Sequence, residues 1–157
     1  MTTKEKIYNE MKIMIIEDED YKYNTLIEVL NKLIDKPIII RAKSRNSGLR
    51  MIKEYYQNNN YFNLIICDNY MPLFDNDNRI IPCASDIINY IKRFISKEIS
   101  ICVFSSEEID LCNYDYYIKY DRSISQDIFE EELKQIFNII NNNKKVLSKK
   151  NSYLSEI

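Results

Sequence analysis

Short apolar runs alternate along the chain with longer stretches in which apolar residues recur every three or four positions. The runs cover residues 12–16, 38–40, 62–67, 99–104 and 116–118. They are rich in isoleucine, which is typical of strands buried on both faces of a parallel sheet. The stretches between them have the spacing of amphipathic helices, at residues 23–34, 49–56, 87–95 and 129–140.

This alternation predicts an α/β fold, in which an open parallel sheet carries helices on both of its faces. We expect the strand order 2-1-3-4-5 and one domain over residues 11–140, with an extension at 1–10 and a polar tail at 141–157. Two connections are irregular. Residues 73–85 form a long polar loop, and residues 105–113 are too few for a full crossover helix. The fourth helix is therefore predicted to be shortened or missing.

The composition excludes several kinds of chemistry. The 157 residues include no histidine, no tryptophan and one glycine, Gly48. Without histidine, neither a catalytic triad nor an imidazole metal site can form, and one glycine cannot supply a glycine-rich phosphate loop. The four cysteines show no Cys-x-x-Cys spacing, so we expect reduced thiols and not a zinc knuckle or a redox pair.

Charge and hydropathy narrow the class of protein further. The formal net charge is −2, which gives the chain no overall attraction for nucleic acid. No apolar run reaches the length of a membrane span, and the first residues lack the apolar stretch of a signal peptide. We therefore expect a cytoplasmic protein that binds neither nucleic acid nor membrane.

Polar side chains that carry chemistry follow the predicted strands at the point where each strand ends. An acidic cluster begins with Glu17 and Asp18 after the first strand, Asp68 follows the third, Ser105 the fourth and Lys119 the fifth. The carboxyl ends of parallel strands meet at one edge of the sheet, where ligands bind. Clustered carboxylates repel one another unless a cation intervenes, and an all-oxygen site suits Mg²⁺. An ionised Asp68 can then attack a phosphoryl group whose oxygens Ser105 and Lys119 contact.

These residues resemble the motifs of a known family, the receiver domains of two-component response regulators. The likeness is carried by Glu17-Asp18 after MKIMII, by Asp68, Met71 and Pro72 in LIICDNYMP, by Ser105 in VFSS and by Lys119 in YYIK. It covers about residues 11–140, with the sites in the family's order after the corresponding strands. It implies the flavodoxin-like, doubly wound form of the five-stranded parallel sheet.

The resemblance implies a phosphoacceptor that is not a conventional enzyme but catalyses its own Mg²⁺-dependent phosphotransfer and dephosphorylation. Asp68 would accept a phosphoryl group from a histidine kinase or a phosphotransfer protein, and the output would be contact with a downstream protein. The residues implied to take part are the Mg²⁺ ligands Glu17, Asp18, Asp68 and the Tyr70 backbone carbonyl, the phosphate-contacting Ser105 and Lys119, and the aromatic switch residue Tyr116, whose rotamer would follow Ser105.

The chain departs from the family pattern at four places. Tyr120 follows the lysine where a proline is usual, and Ser106 replaces a small apolar residue. The loop at 73–85 is longer than usual, and the fourth helix, which belongs to the family's signalling face, is almost absent. We therefore expect intact phosphotransfer chemistry with an altered output surface.

Two other functions fit parts of the pattern. A pseudo-receiver scaffold would bind a partner without being phosphorylated, and Mg²⁺-dependent modification of Asp68 separates it from an active receiver. A phosphatase or a toprim-like nuclease would need a second acid two residues after Asp68, where this chain has Tyr70, so we discount it. Asp75 and Asp77 in the long loop are expected to lie in a solvated turn and not to bind a metal.

Overall fold

The computed structural model describes the backbone of residues 8–106, 114–120 and 126–155, and side chains within 10–106, 114–120 and 126–143. Five strands form one sheet, namely β1 Lys12–Ile16, β2 Ile38–Ala42, β3 Leu64–Cys67, β4 Ile101–Ser105 and β5 Tyr116–Lys119. Their order is β2-β1-β3-β4-β5, and every neighbouring pair is parallel. The predicted fold class and strand order are therefore confirmed.

Helices connect the strands and cover both faces of the sheet. In the described residues they are α1 Asp20–Leu33, α2 Arg45–Gln57, α3 Ala84–Tyr90, which continues as a π-helical turn over Ile91–Ile95, and α4 Gln126–Ser155. α4 runs well past Ile140, into the segment predicted to be a polar tail. No glycine or proline interrupts it, and each further residue extends an existing helix at little cost. None of the described helices combines the length and the apolar character that crossing a membrane requires.

The hydrophobic core has two halves, one on each face of the sheet, because successive side chains of a strand point to opposite faces. In β1, Ile13 and Ile15 pack with residues of α1 and α4, whereas Met14 and Ile16 pack with residues of α2 and α3. All four side chains are fully buried. β1 is thus covered on both faces, which is why its sequence is a continuous apolar run.

Gly48 lets α2 lie close to the sheet. A β-carbon at this position would come 2.8 Å from Cδ1 and 3.2 Å from Cγ1 of Ile16 in β1. We expect Gly48→Val to lower the free energy of unfolding by about 2 kcal/mol, because the branched side chain must displace Ile16 from a packed core. Chemical denaturation measures the loss, with Lys53→Val at an exposed position of α2 as the control. Equal stability of the two variants would contradict the close approach.

The buried cysteines agree with the expectation of reduced thiols. Within the described residues, Cys67, Cys83 and Cys102 are buried and free. Burial raises the pKa of Cys67 to about 12, so this thiol stays protonated and unreactive. Cys112 lies outside the described residues.

The long loop is more ordered than its polar sequence suggested. Tyr70–Met71 pairs antiparallel with Ile81–Pro82 at its two ends. Asp75 lies in a turn and accepts a hydrogen bond from the Ser44 hydroxyl (2.6 Å), which agrees with the predicted turn. The other irregular connection, predicted to hold a shortened fourth helix at 105–113, lies outside the described residues from residue 107 onwards.

Candidate functional site

Three carboxylates meet at the carboxyl edge of the sheet. Glu17 and Asp18 directly follow β1, and Asp68 directly follows β3. β1 and β3 are hydrogen-bonded neighbours with Ile16 opposite Cys67, so the residues after them leave the sheet side by side. One carboxylate oxygen from each of the three acids lies within 4.8 Å of the other two. The structure thus brings together the three side chains predicted to hold a metal.

The carboxylates of Glu17 and Asp68 are buried and only partly satisfied by backbone donors. The exposed fraction is 1% for Glu17 and 7% for Asp68. Glu17 Oε1 accepts a hydrogen bond from the Glu19 N–H (3.0 Å), and Asp68 Oδ1 accepts one from the Asn69 N–H (2.7 Å). Glu17 Oε2 is buried without a hydrogen-bond donor among the described residues. Because a buried polar atom is costly without a partner, this oxygen favours a cation nearby.

Lys22, which the sequence analysis did not single out, lies between the two buried carboxylates. Its Nζ is 2.7 Å from Asp68 Oδ2 and 3.4 Å from Glu17 Oε2. Lys22 belongs to the first turn of α1, and only 4% of its surface is exposed. An ammonium group buried this deeply is stable only when it is paired, and the two carboxylates provide that pairing.

Burial and neighbouring charges shift the proton affinities of the site. Burial, and then the charge of Asp68, raise the pKa of Glu17 to about 8. Burial also raises the pKa of Asp18. Burial alone lowers the pKa of Lys22, but the charges of Glu17 and Asp68 outweigh it and leave this pKa above its ordinary value. The raised pKa of Lys22 keeps its ammonium charged at neutral pH, whereas the raised pKa of Glu17 favours binding of a proton or of a further cation at that carboxylate.

Ser105 and Lys119 lie opposite each other at the ends of β4 and β5. Ser105 is buried, whereas Lys119 is exposed. In the described part of the chain, the lysine that forms an ion pair with the Asp68 carboxylate is Lys22. The phosphate contacts of Ser105 and Lys119 stay predictions.

The side chain of Tyr117, the neighbour of the predicted switch residue Tyr116, contacts the last residue of β4. The Tyr117 hydroxyl donates a hydrogen bond to the Ser105 carbonyl (3.3 Å). Tyr116 lies on the other face of the sheet, where it packs against the half of the core that contains residues of α1 and α4. It also forms a hydrogen bond with Ser100, the residue that precedes β4. The switch role of Tyr116 stays a prediction, while the contact with Ser105 belongs to Tyr117.

The segment after Asp68 is held by Asn69 and by the short strand that contains Tyr70. The main-chain carbonyl of Asn69 accepts a hydrogen bond from the Cys83 N–H (2.7 Å). The side-chain Oδ1 of Asn69 accepts one from the N–H of Ala84, the first residue of α3 (3.3 Å). Tyr70, predicted to offer its backbone carbonyl to a metal, pairs with Pro82 and has a side chain that is 38% exposed. The start of α3 therefore fixes the position of Asp68.

Arg41 holds the acidic loop from the neighbouring strand β2. Its guanidinium donates to the carbonyl oxygens of Glu17 (3.1 Å) and Asp18 (3.4 Å), and it forms an ion pair with Asp20 (2.8 Å). The contacts of Arg41 were not predicted from the sequence, because every residue has a main-chain oxygen and no sequence motif marks the ones that Arg41 contacts.

Lys22 was also missed, although the sequence carries a signal for it. Lys22, Leu26 and Leu30 are spaced four residues apart, so they lie on one face of α1. Leu26 and Leu30 are core residues. A lysine on the buried face of a helix that begins beside strand-ending carboxylates indicates an ion pair at that site.

The donor set suits a hard divalent cation. Glu17, Asp18 and Asp68 offer carboxylate oxygens and no nitrogen or sulfur, which is the ligand type of Mg²⁺, Ca²⁺ and Mn²⁺. A divalent ion here would also satisfy the buried Glu17 Oε2. The residues present therefore fit a divalent metal site.

Comparisons with known proteins identify the fold. No family model matches the sequence, and no curated protein matches it. Solved structures that resemble it are mostly response regulator receiver domains.

Three of these structures illustrate the extent of the similarity. The Mn²⁺-bound form of the response regulator Rcp1 is 18% identical, with 84% of this chain and 90% of that chain covered and a TM-score of 0.58. A two-component response regulator from Cytophaga hutchinsonii is 19% identical (87% and 98% covered, TM-score 0.60). The phosphorylated cyanobacterial phytochrome response regulator RcpA is 16% identical (87% and 92% covered, TM-score 0.59). At these identities the similarity shows the receiver-domain fold, and at that level the resemblance predicted from the motifs is confirmed.

Proposed function

We propose that this chain, whose fold is that of receiver domains, is a phosphoacceptor in a two-component phosphorelay, and that Asp68 accepts the phosphoryl group. The observation that carries the proposal is a buried aspartate beside two further carboxylates at the carboxyl edge of a parallel sheet. The order of the motifs supports the same function. Among the structural neighbours, the Mn²⁺-bound Rcp1 and the phosphorylated RcpA support it by analogy.

In this proposal one oxygen of the Asp68 carboxylate attacks the phosphorus atom of the donor. The bond between phosphorus and the donor atom breaks, the leaving group takes the bonding electrons, and Asp68 becomes an acyl phosphate. Only the ionised carboxylate is a competent nucleophile. The Asn69 N–H and the Lys22 ammonium both hydrogen-bond to the carboxylate and stabilise its ionised form.

The metal in this proposal is Mg²⁺, held by Glu17, Asp18 and Asp68, with the Tyr70 backbone carbonyl as a further oxygen ligand. When bound, Mg²⁺ supplies positive charge that offsets the carboxylates and the phosphoryl oxygens. Ser105 is buried at the end of β4, the strand next to β3. Its hydroxyl is proposed to donate a hydrogen bond to the phosphoryl group. Tyr116 is proposed to respond to Ser105.

The phosphoryl donor in this proposal is a histidine kinase or a phosphotransfer protein, and the output is contact with a downstream protein. The formal net charge of −2 favours a protein partner over nucleic acid. The domain is not a conventional enzyme, since the group that it transfers ends on its own side chain. We propose a cytoplasmic location, where such kinases present their phosphoryl groups.

We expect acetyl phosphate to add one phosphoryl group to the wild-type protein, and only when Mg²⁺ is present. Acetyl phosphate stands in for the kinase, because in this proposal the acceptor site itself promotes the transfer. Intact-protein mass spectrometry measures the adduct, and matched samples with EDTA report the metal dependence. An adduct of equal size in EDTA would contradict the metal's role, and no adduct in either sample would contradict the proposed function.

One contact favours a second candidate, a pseudo-receiver scaffold that binds a partner without being phosphorylated. Lys22 Nζ lies 2.7 Å from Asp68 Oδ2, so the acceptor carboxylate already holds a cation. In a scaffold this ion pair would be permanent and purely structural. The mass measurement separates the candidates, because a Mg²⁺-dependent adduct excludes the scaffold and the lack of one supports it.

A further inference from the structure

We propose that Lys22 is the cation that faces the phosphoryl group on Asp68, in the place where the family resemblance led us to expect Lys119. This inference rests on the proposed function, because it assigns a residue to the same phosphoacceptor site. It deepens that function by naming a residue of α1 that lies outside the motifs carrying the resemblance.

Lys22 contacts both buried carboxylates of the site. Its Nζ lies 2.7 Å from Asp68 Oδ2 and 3.4 Å from Glu17 Oε2. Side chains of a helix point back towards its N-terminal end, and α1 begins at the carboxyl edge of the sheet. The long side chain of Lys22 therefore returns to that edge, and a phosphoryl group on Asp68 would form within reach of the ammonium.

Two aromatic rings hold the ammonium in place. Lys22 Nζ lies 5.4 Å from the centroid of the Phe104 ring and 5.1 Å from that of the Tyr120 ring. The rings contact each other edge to face, with centroids 5.1 Å apart. Aromatic faces attract cations without neutralising them. Tyr120 stands where the family usually has a proline, and its contact with Lys22 gives that departure a physical reason.

Lys119 lacks this environment. It is exposed at the end of β5, opposite Ser105, whereas Lys22 is 4% exposed. The charge of an exposed lysine is screened by water and salt, but a buried ammonium acts through a lower dielectric. Removing Lys22 should therefore slow phosphoryl transfer much more than removing Lys119.

The role assigned to Lys22 is electrostatic. When acetyl phosphate reacts, an oxygen of Asp68 bonds to phosphorus, the bond from phosphorus to the acetate oxygen breaks, and acetate leaves with the electron pair. The phosphoryl group retains about two negative charges, and the ammonium offsets part of them. Lys22 keeps its own protons throughout the step.

The first test compares the phosphorylation rates of Lys22→Met and Lys119→Met in saturating Mg²⁺ and acetyl phosphate. We expect Lys22→Met to react about a hundredfold more slowly than wild type, and at least about tenfold more slowly than Lys119→Met. Lys32→Met, at an exposed position of the same helix, is the matched control for the loss of one charge. A normal rate for Lys22→Met, or a hundredfold loss for Lys119→Met in its place, would overturn the inference.

A second readout, Mg²⁺ binding without any phosphodonor, separates an electrostatic role from a loss of folding. Because the Lys22 charge opposes a divalent ion, Lys22→Met should bind Mg²⁺ about tenfold more tightly in a calorimetric titration. Damage to the fold would weaken binding, so unchanged or weaker binding counts against the inference. Lys22→Arg restores the charge and should recover most of the lost rate. If Lys22→Met does not fold, Lys22→Gln, which keeps a hydrogen-bond donor for Asp68, replaces it in both measurements.

The outcomes for this inference and for the proposed function are distinct. No Mg²⁺-dependent adduct on the wild-type protein overturns the function, and the inference with it. A wild-type adduct together with an unaffected Lys22→Met leaves the function standing and overturns the inference alone. A slow Lys22→Met that binds Mg²⁺ more tightly, beside a Lys119→Met that is affected much less, supports both.

Discussion

Asp68→Asn is expected to abolish the Mg²⁺-dependent phosphoryl adduct, with a loss in rate of about a thousandfold or more. Asparagine keeps the size of the side chain and the hydrogen bond that Oδ1 accepts from the Asn69 N–H. It has no ionised oxygen, however, and an amide is a poor nucleophile towards phosphorus. Intact mass after acetyl phosphate treatment measures the adduct, and its removal by hydroxylamine identifies it as an acyl phosphate.

The matched control for this variant is Asp86→Asn. Asp86 is an aspartate of α3 with a largely exposed side chain, which pairs with Arg45 at the surface. This variant should be modified like the wild-type protein, and circular dichroism should show the native fold in both variants. An equal adduct on Asp68→Asn would mean that acetyl phosphate modifies a different residue, and Asp68 would then not be the acceptor.

Glu17→Gln is expected to stabilise the protein at alkaline pH when no divalent metal is present. The pKa of Glu17 rises from 4.5 to about 8 in the folded protein, first because of burial and then because of Asp68. Between these pH values the folded state binds a proton that the unfolded chain has released, so the free energy of unfolding of the wild type falls as the pH rises. Glutamine does not titrate, so its variant escapes this loss. The difference should grow from near zero at about pH 4 to on the order of 5 kcal/mol at about pH 8.5.

Urea denaturation in EDTA across this pH range measures the stability of both proteins. Glu28→Gln, the same substitution at an exposed position of α1, should leave the pH profile of the wild type unchanged. Added Mg²⁺ at alkaline pH should stabilise the wild type more than Glu17→Gln, because a ligand that binds only the folded state stabilises it. A stability difference that does not vary with pH would contradict the raised pKa of Glu17.

The fold was predictable because local patterns restrict it strongly. A continuous apolar run marks a strand covered on both faces, and alternation with helical spacing leaves few arrangements besides an open parallel sheet. The ends of the elements were less predictable. The run at 62–67 becomes a strand only from Leu64, and β4 begins at Ile101 instead of 99. Apolar residues mark what is buried, whereas the ends of a strand depend on its pairing partners.

The acidic part of the site was predictable for a related reason. Glu17, Asp18 and Asp68 directly follow strands, so their meeting depends on one fact, that β1 and β3 are neighbours. The cation was not predictable in this way. Lys22 and Asp68 are separated by 46 positions in the sequence, and no strand end carries Lys22 to the sheet edge.

The sequence by itself therefore determined which segments become strands and helices, and which acidic residues stand at the carboxyl edge of the sheet. These features depend on hydrophobic periodicity and on the direction of each strand, both of which are local. Only the tertiary structure decided that Lys22 pairs with Asp68, and that the Tyr117 hydroxyl contacts the Ser105 carbonyl. Periodicity tells which face of an element is buried, but the groups that this face meets depend on how α1 and β5 pack against the rest of the sheet.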